Sequence, residues 1–343
     1  MKHLCILVLS LLLLVSFGCD NSKNPTVPAE NAAATVENEL QALSVFDQSS
    51  NQMAVNLNDA EFIMELQSQF VAQRDELLAK FAADTPDKKK NDAVAGLTIH
   101  VPEDFLTIAD AVTAAPPFTK IQISGGNYSG YVVVDDSKVG LEITGEGTVN
   151  FSSGMYVTAN NVKIHNINFA TSGPDLVIDE ASGVQVKDCN FSGAADLIMS
   201  GATNCNIKHN YVTDDGTILL GFFSAPCTRN VIDENTGTGI TYLGGVYVGA
   251  SSYYNAVKSN YCINNSGVFV TVNGITLDDG AYLNLLEDNV CNSNTGVGIY
   301  LAPTTHHNVV KKNTVRCNDY LGDDINILDS GTSNTVIKNN TGC

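Results

Sequence analysis

The 343-residue chain has no tryptophan and few basic residues: 18 Lys and Arg stand against 37 Asp and Glu, a formal net charge of -19. A field of that sign repels nucleic acid and anionic lipid, so neither is expected as a partner, whereas neutral sugars and divalent cations remain compatible with it. Beyond Gly18 no apolar run reaches the ~20 residues that a membrane-spanning helix needs. Aromatic residues are only 7%, and cysteine is missing between Cys19 and Cys189. What is abundant along the C-terminal two-thirds is Asn and Gly, with Val, Ile and Leu between them. This composition suits a turn-rich β structure with a narrow aliphatic interior.

The N-terminus reads as an address. Lys2 and His3 precede an apolar stretch from Leu4 to Gly18, the length of a signal-peptide core and short for a bilayer. It ends at Ser16-Phe17-Gly18-Cys19, which resembles the lipobox of bacterial lipoproteins, with Ser16 where Leu is usual and Phe17 where a small residue is usual. The resemblance implies lipid on Cys19 and export to the bacterial cell envelope, with a membrane touched through that anchor alone; a monomer is expected. Ordinary signal cleavage is the alternative. Residues 20–35, with Pro25 and Pro28, read as a flexible tether. Across 36–83, Phe62, Leu66, Phe70, Leu77 and Phe81 recur at helical spacing among polar residues, which predicts an amphipathic helical segment. Residues 84–97, with Lys88-Lys89-Lys90, form a linker.

From Thr98 the pattern changes to strands. Thr98-Ile99-His100-Val101 leads into Thr107-Ile108-Ala109-Asp110-Ala111-Val112, a short helix stopped by Pro116, then Lys120-Ile121-Gln122-Ile123 and Gly126-Asn127-Tyr128. Thereafter Ile143, Ile164, Val186, Ile207, Ile232, Val257, Leu286, Val310 and Val336 recur every ~21 to 29 residues, each but the last followed by a polar residue, the mark of a strand with one face in and one out. In the later repeats Asn stands two before and three after this column, as at Asn255 and Asn260. Stacked asparagines can pass amide hydrogen bonds between repeats, and Asn tolerates the left-handed backbone of tight corners. A second column, Val246, Ile275, Ile299 and Ile325, keeps the same intervals as Val257, Leu286, Val310 and Val336.

These segments resemble the pectin-lyase-like right-handed parallel β-helix family. The resemblance covers residues 98–343 and implies an all-β solenoid of about ten coils with a short N-terminal capping helix. It says little about activity, because lyases, polygalacturonases, epimerases, adhesins and copper-enzyme accessory proteins share the fold.

Candidate chemistry lies near the second column. Tyr247, Thr276, Tyr300 and Asn326 are the expected outward residues, a strip on which tyrosine rings could stack against sugars. Asp278, Asp279, Asp323 and Asp324 flank it and could hold Ca²⁺ or act as acid and base, although acidic turn residues are commonly just solvated. No cofactor is otherwise called for. Tyr253, Tyr282 and His306 form an expected stabilising aromatic stack beside His307, and no His-x-x-His or His/Cys cluster points to a metal centre. The Arg-x-Pro-x-x-Arg of pectate lyases, the Gly-His-Gly of polygalacturonases and the Asp-Pro-His of mannuronan epimerases are absent. Cys262 with Cys291, and Cys317 with Cys343, share repeat positions and are disulfide candidates, or else a stack of thiols. The leading reading is polysaccharide binding. A polysaccharide lyase or glycoside hydrolase acting through the aspartates, and a non-catalytic spacer or adhesin, are the alternatives.

Overall fold

The computed structural model describes residues 97–343 except 171–175, 194, 215, 222–224, 268–271 and 320–324. The signal, tether, helical segment and linker of the sequence analysis, together with Asp323 and Asp324, lie outside the described residues.

The chain winds as a right-handed parallel β-solenoid of about ten coils. Each typical coil contributes three short strands, so the rod has three faces, as in Asn206–Lys208, Tyr211–Thr213 and Ile218–Leu220. All pairings between named strands are parallel and join one coil to the next. The aliphatic column is in register on the first face, Ile121 against Ile143, Ile164 and Val186 through to Val310 and Val336. The long strands Lys120–Tyr128 and Glu142–Phe151 run continuously from the first face onto the second. There Phe151 meets Phe169 edge to face, with ring centroids 5.9 Å apart, and Phe169 stacks on Phe191 at 4.9 Å inside the rod.

At the N-terminal end the helix α1 (Ile108–Ala114) covers the first coil. Thr107 caps it by accepting from the Asp110 backbone N–H, and Ile108, Ala111 and Val112 turn inward and are buried. A first coil otherwise leaves an apolar cross-section facing water, which such a cap removes.

The corners explain the asparagines. At the first corner the ladder runs through Asn210, Asn235, Asn260, Asn289, Asn313 and Asn339. Asn235 donates from its backbone N and its Nδ2 to Oδ1 of Asn260, both at 3.0 Å, and Asn260 repeats this toward Asn289. Each Nδ2 also reaches a backbone carbonyl, as Asn260 does to Ile232 at 2.9 Å. A second ladder joins Asn230, Asn255, Asn284, Asn308 and Asn334, and a third joins Asn265, Asn294, Asn318 and Asn326. The ladder asparagines are not themselves left-handed, contrary to expectation. At the first corner the residue before each carries the positive φ: His209, Glu234, Ser259, Asp288, Lys312 and Lys338. Such a backbone costs roughly 1 kcal/mol or more for a residue with a Cβ, and the asparagine that follows offsets it by hydrogen bonding in a dry interior.

The second column contains one register error. On the third face Val246, Ile275 and Ile299 are followed by Ile327, not Ile325. Gly245, Gly274 and Gly298 precede those first three strands, and a Cβ at Gly245 would sit 2.5 Å from Sγ of Cys262. In the last coil Asn326 takes this position, and its Oδ1 accepts from Nδ2 of Asn318 at 3.0 Å. Asn326 therefore turns inward to close a ladder and does not belong to the outward strip.

Asn260 holds four side-chain hydrogen bonds at full burial. Replacing it with Ala is expected to lower unfolding free energy by at least about 3 kcal/mol, since several buried polar groups lose their partner. The exposed Asn340→Ala should stay within about 0.5 kcal/mol of the parent. Urea unfolding midpoints check the contrast, and equal midpoints for the two variants would contradict the ladder account.

Candidate functional site

The outward column of the third face is a continuous line of nine residues, Val133, Tyr156, Val177, Ile198, Leu219, Tyr247, Thr276, Tyr300 and Leu328. Strand alternation would make such positions polar on a free surface. Instead Val177, Ile198 and Leu219 form a small apolar cluster, 6, 3 and 2% exposed, against which Tyr156, Leu243 and Tyr247 pack.

A tyrosine–aspartate pair stands at each end of this cluster. Tyr156 donates its hydroxyl to Asp179, one coil further on, and Tyr247 donates to Oδ2 of Asp279 at 3.0 Å, again one coil on. Burial and the negative charge of the neighbouring aspartates raise the Tyr247 phenol well above its ordinary range. For Tyr156 the bond to Asp179 comes first, followed by burial, and the phenol is pushed up to about 12. Both tyrosines therefore stay protonated and their hydroxyls keep a fixed direction.

Of the residues expected in the strip, Tyr247 and Tyr300 are half-buried and lie on the same line, two strands or ~10 Å apart. Thr276 sits between them but is buried, with its hydroxyl accepting from Nδ2 of Asn273 at 3.0 Å. Leu328 occupies the place expected for Asn326. Asp278 and Asp279 fold into the turn after the Ile275–Leu277 strand, where Oδ1 of Asp278 accepts from the Asp279 backbone N–H at 2.8 Å. Asp279 is left-handed there and presents its carboxylate to Tyr247. One aspartate thus shapes the turn and the other orients the tyrosine.

The cysteines separate into two kinds. Cys317 and Cys343 form a disulfide between the last two coils, with Cα atoms 4.9 Å apart. Cys262 and Cys291 stack in register inside the second face, where both are free thiols, so the disulfide expected between them is replaced by the thiol stack. Side chains on adjacent in-register strands run side by side, ~4.8 Å apart, whereas a disulfide requires the two Cβ atoms to converge to ~3.8 Å.

The expected aromatic stack is present. Tyr253 and Tyr282 lie 5.0 Å apart and Tyr282 and His306 5.1 Å apart, nearly parallel in both cases. These residues mark the turn that enters the first face and are joined by parallel bridges from coil to coil. Sequence reasoning missed the relation between His306 and His307, whose Nδ1 atoms lie 2.9 Å apart. Among the described residues no three His, Cys, Asp or Glu side chains are grouped so as to hold a metal ion, and no helix there is long and apolar enough to cross a membrane. A concavity of about 550 Å³ at the last coil is lined by Ile327, Val336 and Thr341 among others and includes, of the expected site residues, Asn326.

A family model described as periplasmic copper-binding protein (NosD) matches residues 153–341. No curated protein matches the chain. Among solved structures it is similar to an alginate lyase from Paenibacillus sp. str. FPU-7, at 14% identity and a TM-score of 0.51 over 71% of this chain and 97% of that one. It is also similar to the pectate lyase Pel9A, at 13% identity and a TM-score of 0.44 over 68% and 72% of the two chains. A third is the A-module of the Azotobacter vinelandii mannuronan C-5 epimerase AlgE4, at 12% identity and a TM-score of 0.38 over 68% and 89%. At such identities the likeness to the alginate lyase is one of fold.

Proposed function

The chain belongs to the NosD family, described as periplasmic copper-binding proteins, and from that premise we propose that it is an exported envelope protein, lipid-anchored at Cys19, whose third face binds an extended polysaccharide. The observation that carries the reading is the placement of Tyr247 and Tyr300 on one line of the rod, with the Tyr247 hydroxyl oriented by Asp279. Rings held ~10 Å apart along a straight axis offer two stacking platforms to one extended chain. Thr276 fills the interval as a buried spacer. Because the protein is strongly acidic, a neutral glycan binds directly, and an anionic one binds only with a cation such as Ca²⁺ between its carboxylates and Asp278 or Asp279.

Cleavage is the competing reading and shares the surface. It asks for an acid and a base on the substrate, whereas Asp278 and Asp279 already serve the turn and Tyr247. Binding is therefore favoured over chemistry.

The family description also brings copper into consideration. The five free thiols among the described residues, Cys189, Cys205, Cys227, Cys262 and Cys291, are all buried in the rod. Burial pushes Cys189 and Cys205 up to about 12 and Cys227 to about 11, which opposes the thiolate form that metals bind. Among the described residues no group of three donors is assembled either, so the side chains there do not fit a resident copper ion.

Two measurements test the proposal. Affinity electrophoresis against a panel of neutral and anionic glycans, with and without Ca²⁺, should show retention that Tyr300→Ala weakens about tenfold, or ~1.4 kcal/mol. Tyr247→Ala should act similarly and Tyr247→Phe less, since the ring remains. Retention equal to the parent in both alanine variants contradicts the site, and release of reducing or unsaturated ends supports cleavage instead. Labelling cells with radioactive palmitate should mark the protein and fail to mark Cys19→Ser; equal labelling of the two would contradict the anchor.

A further inference from the structure

Outward positions on the first face are polar near its start: Lys163, Gln185 and Asn206 follow one another in register and are all partly exposed. The same column then turns apolar for four coils, through Val231, Ala256, Leu285 and Val309, before Thr335 restores a polar residue. These four point away from the interior of the rod, since Ile232, Val257, Leu286 and Val310 beside them point into it. They are nevertheless only 2, 8, 3 and 2% exposed. Neither apolar cluster formed among the described residues includes any of them.

The column on the other side of the inward residues is charged. Asp233 bonds Lys208 and Lys258 at 3.3 Å each, and Glu287 bonds Lys311 at 3.4 Å and Lys312 at 2.9 Å. Asp233, Glu287 and Lys311 are all buried, although a charged side chain on an open sheet face keeps its head in water. An apolar column and a row of ion pairs, shielded together over the same four coils, mark a patch built to be covered.

We infer that this patch seats the chain's own amphipathic segment, residues 70–81, which lies outside the described residues, docked as a helix along the rod. Phe70, Leu77 and Phe81 repeat at i, i+7 and i+11, the spacing of one helical row. Arg74 falls in that row at i+4 and meets the acids, Asp233 and Glu287, that border the stripe. As a helix the row is ~17 Å long, and the four outward residues span three strand steps, or ~14 Å. The segment also reaches. Thr98–Val101 is itself a first-face strand, six to nine steps or ~29 to ~43 Å from the stripe, and residues 82–96 extend to ~50 Å. A second copy is a poorer occupant, because two chains of net charge -19 repel each other. The segment instead balances Arg74 and Lys80 against Asp75 and Glu76. The stripe shares no residue with the tyrosine line of the third face, so this inference and the glycan reading stand or fall separately.

The test is maleimide labelling of the full mature chain carrying Leu285→Cys, with modification at that position read by mass spectrometry. The free thiols among the described residues are buried and stay silent. Leu285→Cys is expected to react at least about tenfold more slowly than Tyr211→Cys, an exposed outward position, because labelling follows the fraction of chains in which the segment has lifted off. Leu77→Asp changes no residue of the rod, and adding it should bring the Leu285→Cys rate up to that of Tyr211→Cys. Phe81→Asp should do the same. Labelling of Leu285→Cys as fast as Tyr211→Cys without the second change would overturn the assignment. So would slow labelling that neither Leu77→Asp nor Phe81→Asp relieves, and sedimentation at twice the chain mass in that case would hand the patch to a second copy.

Discussion

The structure depends on the amide ladders at its corners. A parallel coil turns sharply three times, and each turn leaves backbone groups inside a space that water does not enter. Asparagine is suited to this position because one side chain supplies an acceptor and a donor. Oδ1 takes two N–H groups from the coil before, while Nδ2 gives to the coil after and to a carbonyl. From Asn210 to Asn339 the same exchange repeats from coil to coil and reinforces the fixed step that parallel strand pairing sets along the rod. That step turns a position in the sequence into a position along an axis.

The fixed step is what allows distant residues to form a site. Tyr247 and Tyr300 come together as a pair only because the coils between them keep register. Asp279 reaches Tyr247 from the next coil for the same reason. The third face nevertheless differs from a plain solvated sheet. Its middle carries Val177, Ile198 and Leu219 as a buried outward cluster, bounded by the Tyr156–Asp179 and Tyr247–Asp279 pairs.

Much of this was legible in the residues. The aliphatic column from Ile143 to Val336 is in its correct register in the sequence alone, because burial on one face and polarity on the other leave one alignment free of conflict. The coil corners were less legible. The sequence placed the left-handed backbone on the asparagines, whereas it falls on neighbours as varied as His209, Ser259 and Lys312, since tertiary hydrogen bonds override local preference there. The slip from Ile327 to Ile325 arose because a lengthened loop can keep the total interval while moving one strand by two residues, which preserves the in-and-out alternation. Thr276 looked like a surface hydroxyl, and only its contact with Asn273 shows it to be spoken for. His306 and His307 read only as the end of an aromatic stack, because adjacency in sequence does not show that a left-handed step at His307 turns the two Nδ1 atoms toward each other.

The central claim is that coils rise by a constant step, and pulsed electron spin resonance measures it directly. Asn127, Tyr211 and Tyr261 lie on one line of the second face, through Asn150, Asn168 and Asn190 and then Thr236, and all three are exposed. Spin labels on Asn127→Cys with Tyr211→Cys span four steps, or ~19 Å, and on Asn127→Cys with Tyr261→Cys six steps, or ~29 Å. Two narrow distance distributions differing by ~10 Å are predicted. Broad distributions, or a separation that does not grow with the number of coils, would contradict the stacked rod and the site built on it.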